Sequence, residues 1–148
     1  MSALVIRKYQ ETDWIESCRI HDQARLIELL GSCDARAFVP LAEDKPDILV
    51  FKRSLKHVAC IEDKMVGFVG TDKTEVSWLY VDPDFHRQGI GRQLLQQGLS
   101  AIGAKASTYV LEGNYSARNL YLSAGFKVLQ QFDSKNNGYL CSVLRLSQ

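Results

Sequence analysis

His86-Arg87-Gln88-Gly89-Ile90-Gly91-Arg92 joins an apolar run, Val76-Ser77-Trp78-Leu79-Tyr80-Val81, to an amphipathic segment that continues to about Ala104. A strand, a turn with two glycines and then a helix present a row of free N–H groups to an anion. The first N–H groups of a helix lack partners within it, and the helix dipole adds partial positive charge there. Glycines at 89 and 91 take away side chains that would hold a phosphate off the main chain, and Arg87 and Arg92 add formal charge. The stretch therefore predicts a phosphate cradle.

Two phosphate motifs are excluded. A P-loop needs Gly-Lys-Ser/Thr, whereas Gly91 is followed by Arg92-Gln93. A dinucleotide fingerprint needs a third glycine where this chain has Leu94, and a parallel βαβ context that the preceding strands do not offer.

Working outward, His57–Ile61, Met65–Gly70 and Val76–Val81 read as three strands joined by turns at Asp63-Lys64 and Thr71–Thr74, an antiparallel meander. After the cradle, Ile90, Leu94, Leu95, Leu99 and Ile102 fall on one helical face. Thr108–Leu111 predicts a strand. Ala117, Leu120, Tyr121 and Ala124 stripe a short helix closed by Gly125, and Gly138–Leu146 is the last strand.

Toward the N-terminus, Leu4–Tyr9 predicts a strand, and Asp13 with Glu16 resembles a capping box. Trp14, Ile15, Cys18, Ile20, Leu26, Ile27, Leu29 and Leu30 supply the apolar positions of one or two helices up to Gly31. Ser32–Pro46 reads as a loop, and Ile48–Leu55 fits a helical turn or a strand.

The 148 residues suit one α+β domain covering 1–148, and the formal net charge of +1 without a basic block speaks against nucleic-acid or membrane-surface partners. Four scattered cysteines (Cys18, Cys33, Cys60, Cys141) read as free thiols, and His21, His57 and His86 are too dispersed to bind a metal. No leader or membrane span is visible, so a cytoplasmic protein is expected.

Leu79–Leu95 resembles motif A of the GNAT superfamily of N-acetyltransferases, and Asn114–Phe126 resembles its motif B. The resemblance is good over Lys56–Phe126 and looser beyond. One position departs from the pattern: His86 stands where the family has Arg or Gln. The remaining cradle positions rely on backbone N–H groups, so the change is expected to tune the site.

The resemblance implies a mixed, mostly antiparallel central sheet flanked by helices and splayed between its fourth and fifth strands. It implies acetyl-CoA as cosubstrate, no metal, and a homodimer by family habit. The pantetheine arm would pair with Leu79, Tyr80 and Val81; the pyrophosphate would lie on the N–H groups of Arg87, Gln88, Gly89, Ile90, Gly91 and Arg92, with Asn114 nearby. Tyr121 matches the general acid that returns a proton to the CoA thiolate. A phenol pKa of about 10 against about 8.5 for a thiol keeps it protonated at neutral pH. Glu75 matches a carboxylate base, with Glu112 and Tyr109 as lesser candidates.

The expected activity is transfer of an acetyl group to the primary amine of a small molecule. A protein N-terminus or lysine is the alternative acceptor, and a non-catalytic acyl-CoA-binding domain is the alternative class.

Overall fold

The computed structural model describes residues 3–148. A strand β1 (Leu4–Lys8) leads through a 3-10 turn into one helix, α1 (Trp14–Leu29), then a second, α2 (Lys45–Arg53). The meander follows as β2 (Leu55–Ile61), β3 (Lys64–Asp72) and β4 (Glu75–Val81). Helix α3 (Ile90–Ile102), strand β5 (Ser107–Leu111), helix α4 (Tyr115–Ser123) and the hairpin β6 (Lys127–Asn136) and β7 (Tyr139–Ser147) complete the chain.

The seven strands form one sheet in the order β1-β2-β3-β4-β5-β7-β6, antiparallel except where β4 meets β5. Each face carries its own core. Ile90, Leu94 and Leu95 of α3 and Tyr121 of α4 pack on one face against Val66, Val69 and Val110. On the other, Ile20 of α1 and Phe51 of α2 pack against Val58, Phe68 and Trp78. Helix α3 lies close to the sheet at Gly67, where a Cβ would stand 2.9 Å from Leu94 Cδ1 and from Tyr80 O.

A bulge reorders β4. Gly70 faces Trp78 while Thr71 faces Val76, so Ser77 is the extra residue. The side chains of Val76, Leu79 and Val81 consequently join the α3 core while Trp78 and Tyr80 turn to the α1 side.

Several expectations need correction. Asp13 does not form a capping box with Glu16. Its carboxylate takes two 2.9 Å hydrogen bonds from Arg7 and one of 2.8 Å from Gln10 N, closing the 3-10 turn before α1, while Glu16 pairs with Arg19. Of the apolar positions assigned to this segment, Ile15, Leu26, Ile27 and Leu30 are exposed and only Ile20 and Leu29 are fully buried, because α1 shows the sheet one narrow face. The Ser32–Pro46 loop contains 3-10 turns at Ala35–Ala37 and Leu41–Glu43 and already starts α2. Ile48–Leu55 divides at Ser54. Asp44 caps α2 by accepting from Asp47 N, and Lys56 Nζ closes its other end on Phe51 O and Ser54 O.

Candidate active site

The turn from Asp82 to Arg92 has the backbone of an anion cradle. Arg87 and Gly89 both take positive φ, 65° and 76°, the left-handed conformation that occurs in backbone anion nests. Among the described residues, none of the backbone N–H groups from Arg87 to Arg92 donates to the rest of the protein, and the first bonded one is Gln93 N to Gly89 O at 3.2 Å. Arg87 and Arg92 are exposed beside them. These features fit a bound diphosphate. Gly91 borders the groove, and a Cβ there would make only ordinary contact, 3.4 Å from Leu120 and 3.8 Å from Val81.

His86 takes another course. Its Nε2 lies 3.1 Å from Val81 O, and since a carbonyl only accepts, Nε2 carries the proton. The residue that departs from the family pattern thus pins the start of the cradle to the end of β4.

The sheet opens next to this point. Strands β4 and β5 pair at Glu75–Ser107, and Thr108 Oγ1 donates to Val76 O at 2.9 Å. Beyond that the strands part around a cavity of about 310 Å³ walled by Trp78, Tyr80, Tyr109 and Tyr121. Asp82 N donates to Val66 O at 2.8 Å, so by the alternation of an antiparallel pair Tyr80 bonds toward β3. The N–H groups of Leu79 and Val81 then face the open side. Tyr80 differs from its expected role in this respect: its main chain is engaged with β3, and what it offers the site is its side chain.

A second cavity, of about 890 Å³, runs along the cradle between α1, the end of β4 and α4. The two cavities share Glu28, Leu79, Tyr80, Asn114 and Ala117. Among the described residues, Glu28 is the only acidic side chain lining either one. It is bonded to Arg25 Nη1, accepts Tyr80 Oη at 3.3 Å on the same oxygen, and accepts Asn114 Nδ2 at 3.1 Å on the other. Burial, and then the charge of Glu28, hold the Tyr80 phenol well above its usual pKa, so it stays a donor.

Tyr121 is buried on the wall of the smaller cavity, edge-on to Phe126 with ring centroids 5.1 Å apart. Burial lifts its phenol above the usual range, opposed by a hydrogen bond with Thr108 and reinforced by the charges of Glu28 and Glu75. Glu75 lies at the paired end of β4, off both cavity walls. Burial raises its pKa and Asp72 adds to this, while Arg53 and Arg145 oppose it. Asn114 caps α4 by accepting from Ala117 N at 3.3 Å. Tyr109 reaches the cavity wall; Glu112 does not. The sequence reading passed over Arg25 and Glu28, whose one signal was a charged i,i+3 pair inside an apolar run.

The four cysteines are free thiols, and among the described residues no group of His, Cys, Asp and Glu could hold a metal. Among the described residues, no helix is long and apolar enough to cross a membrane.

A family model described as an Acetyltransferase (GNAT) domain matches residues 52–128. Peptidyl-lysine N-acetyltransferase YjaB of Salmonella typhimurium is 36% identical over 85 residues, 57% of this chain and 58% of that protein, so the match spans little more than half of the relative's length. The apo form of YjaB from Escherichia coli, solved in solution, has a TM-score of 0.70 at 26% identity, covering 98% of this chain and 97% of that one. A GCN5-related N-acetyltransferase from Rhodopseudomonas palustris shares the fold with a TM-score of 0.86 at 18% identity, covering 100% and 96%.

Proposed function

The chain belongs to the GNAT acetyltransferase family, and from that premise we propose that it transfers the acetyl group of acetyl-CoA to a primary amine. The observation that carries this reading is the meeting of two cavities. The one along the anion cradle and the one between β4 and β5 share Glu28, Leu79, Tyr80, Asn114 and Ala117. A cofactor held in the first and an amine entering the second would come together there.

Acetyl-CoA, when bound, supplies the acetyl group as an activated thioester. The N–H groups of residues 87–92 hold its diphosphate, with Arg87 and Arg92 alongside. The open main chain of Leu79 and Val81 aligns the arm of the cofactor, and the Leu79 N–H serves as donor to the carbonyl oxygen as charge develops on it. Tyr121 donates a hydrogen bond, and finally a proton, to the departing sulfur. Its raised pKa makes it a steady donor and makes the full transfer follow departure of the sulfur, not precede it. Glu75 takes the proton of the amine through water from the closed end of the strands.

The acceptor is a small primary amine. A lysine side chain of a protein is the second reading, favoured by the similarity to a relative named as a peptidyl-lysine N-acetyltransferase. A cavity of about 310 Å³ has room for the amine end of either, being at the lower end of the size of small-molecule sites.

Isothermal titration with acetyl-CoA tests the cradle, and release of free CoA thiol with a panel of small amines and lysine peptides tests transfer. Saturable binding with amine-dependent thiol release is the expected result. Failure to bind acetyl-CoA overturns the proposal, and binding without release across the panel leaves an acyl-CoA-binding domain.

A further inference from the structure

We infer that Glu28 is the ligand for the ammonium group of the acceptor, the residue that draws the amine to the junction of the two cavities. The inference rests on the proposed acetyl transfer and adds a recognition site to it. Among the described residues, Glu28 is the only carboxylate lining either cavity, and it lines both. An ionised carboxylate offers about four acceptor sites. Oε1 uses two, for Arg25 and Tyr80, whereas Oε2 uses one, for Asn114. One site on Oε2 is left for an N–H donor arriving through the cavity.

Three donors from three elements hold the carboxylate in place, so the position is built before the acceptor arrives. Arg25 pairs with Glu28 through Oε1 and leaves Oε2 to Asn114 and the cavity. Lys135 on the wall of the smaller cavity is exposed, and Arg87 and Arg92 line the larger one at the cradle, where a diphosphate would face them. The phenols of Tyr80 and Tyr121 are held neutral by burial and bring no charge. A cationic alkylamine therefore meets the open side of Oε2 at the junction, with aromatic walls from Trp78, Tyr80 and Tyr109 for its stem.

The test uses n-butylamine, protonated at neutral pH, titrated into the labelled protein saturated with CoA and followed by backbone amide shifts. Saturable changes centred on Glu28, Tyr80 and Asn114 are expected. Glu28→Gln should weaken the binding at least tenfold, Glu28→Asp less, and Glu43→Gln at an exposed turn should not change it. Affinity of Glu28→Gln for CoA within about twofold of wild type shows that the variant is folded; should it fail this, Glu28→Asp carries the comparison. No saturable binding to wild type, equal affinity in the Glu28 variant, or equally tight binding of n-butanol would each overturn the inference. Absence of CoA binding to wild type would sink the proposed function instead, and the ammonium titration is then read on the protein alone.

Discussion

Glu28 and Asn114 stand 86 positions apart in the chain and are joined by a 3.1 Å hydrogen bond from Nδ2 to Oε2. The bond ties the last turn of α1 to the start of α4 across the junction of the two cavities. Asn114 serves both partners at once, since its Oδ1 accepts from Ala117 N to cap α4 while its Nδ2 holds the carboxylate.

Replacing Asn114 separates these roles. Asn114→Ala loses the cap, at a cost of about 1 kcal/mol, and one of the donors to Glu28. Asn114→Asp keeps a capping oxygen but sets a second carboxylate against Glu28. The Asp variant should be less stable than wild type at pH 7 and recover toward it as the pH approaches 4 and one carboxyl is protonated. Urea denaturation of the three proteins at both pH values checks this, and a deficit that stays constant with pH would contradict the repulsion.

Gly113 makes the approach of the two segments feasible. A Cβ there would lie 2.5 Å from Gly31 O and 2.8 Å from Ser32 Oγ, so the backbone after α1 would have to retreat. Gly113→Ala is expected to cost about 1–3 kcal/mol, read as a lower denaturation midpoint. It should also weaken the hold on Glu28, seen as altered shifts for Asn114 and Tyr80.

At the cradle, a side chain should harm binding without harming the fold. Gly91 has room for a Cβ against Leu120 and Val81, so Gly91→Ala should melt near wild type while placing a side chain at the groove. Its acetyl-CoA affinity is expected to fall at least tenfold by titration calorimetry. Arg92→Gln should cost less, and its deficit should shrink at high salt, where an exposed charge is screened. Unchanged affinity in the Gly91 variant would remove the diphosphate from this turn.

The two proton-handling roles have distinct signatures. Tyr121→Phe keeps the edge-on packing with Phe126 and removes the donor, so kcat should fall about a hundredfold with little change in acetyl-CoA affinity. Burial lifts the Glu75 pKa, so a base at this position places the acidic limb of the rate profile above the ordinary carboxylate range. Glu75→Gln should abolish that limb, and an unaltered limb would take the role away from Glu75.

What could be read in the sequence follows from how local its causes were. The meander and α3 carry their periodicity on contiguous residues, and α3 is bounded by Gly89 and Gly103, both in left-handed conformation. The cradle was visible because its chemistry lies in one turn. Strand β6 was not foreseen: Val128 and Leu129 are both exposed, so an edge strand wet on both faces shows no alternation. The bulge at Ser77 has no local marker, since it is defined by the partners of β4. Glu28 was hidden for the same reason. Its meaning comes from Tyr80 and Asn114, which only the folded chain brings to it.

The pair of Arg7 and Asp13 should govern part of the acid stability. Two 2.9 Å hydrogen bonds from the guanidinium, helped by Gln10 N, hold the Asp13 carboxyl below its ordinary pKa of 3.8. A carboxyl whose folded pKa is depressed contributes stability above its unfolded pKa and loses it as the pH falls through the folded one. The contribution should therefore be complete at pH 5–7 and fade below about 4. Asp13→Asn should cost about 1 kcal/mol at neutral pH, since Arg7 is partly exposed and solvent screens the pair. The gap between wild type and variant should close on acidification toward pH 2. Denaturation midpoints across that range check it, and a gap that widens on acidification would show that the carboxylate is not held by Arg7 in solution.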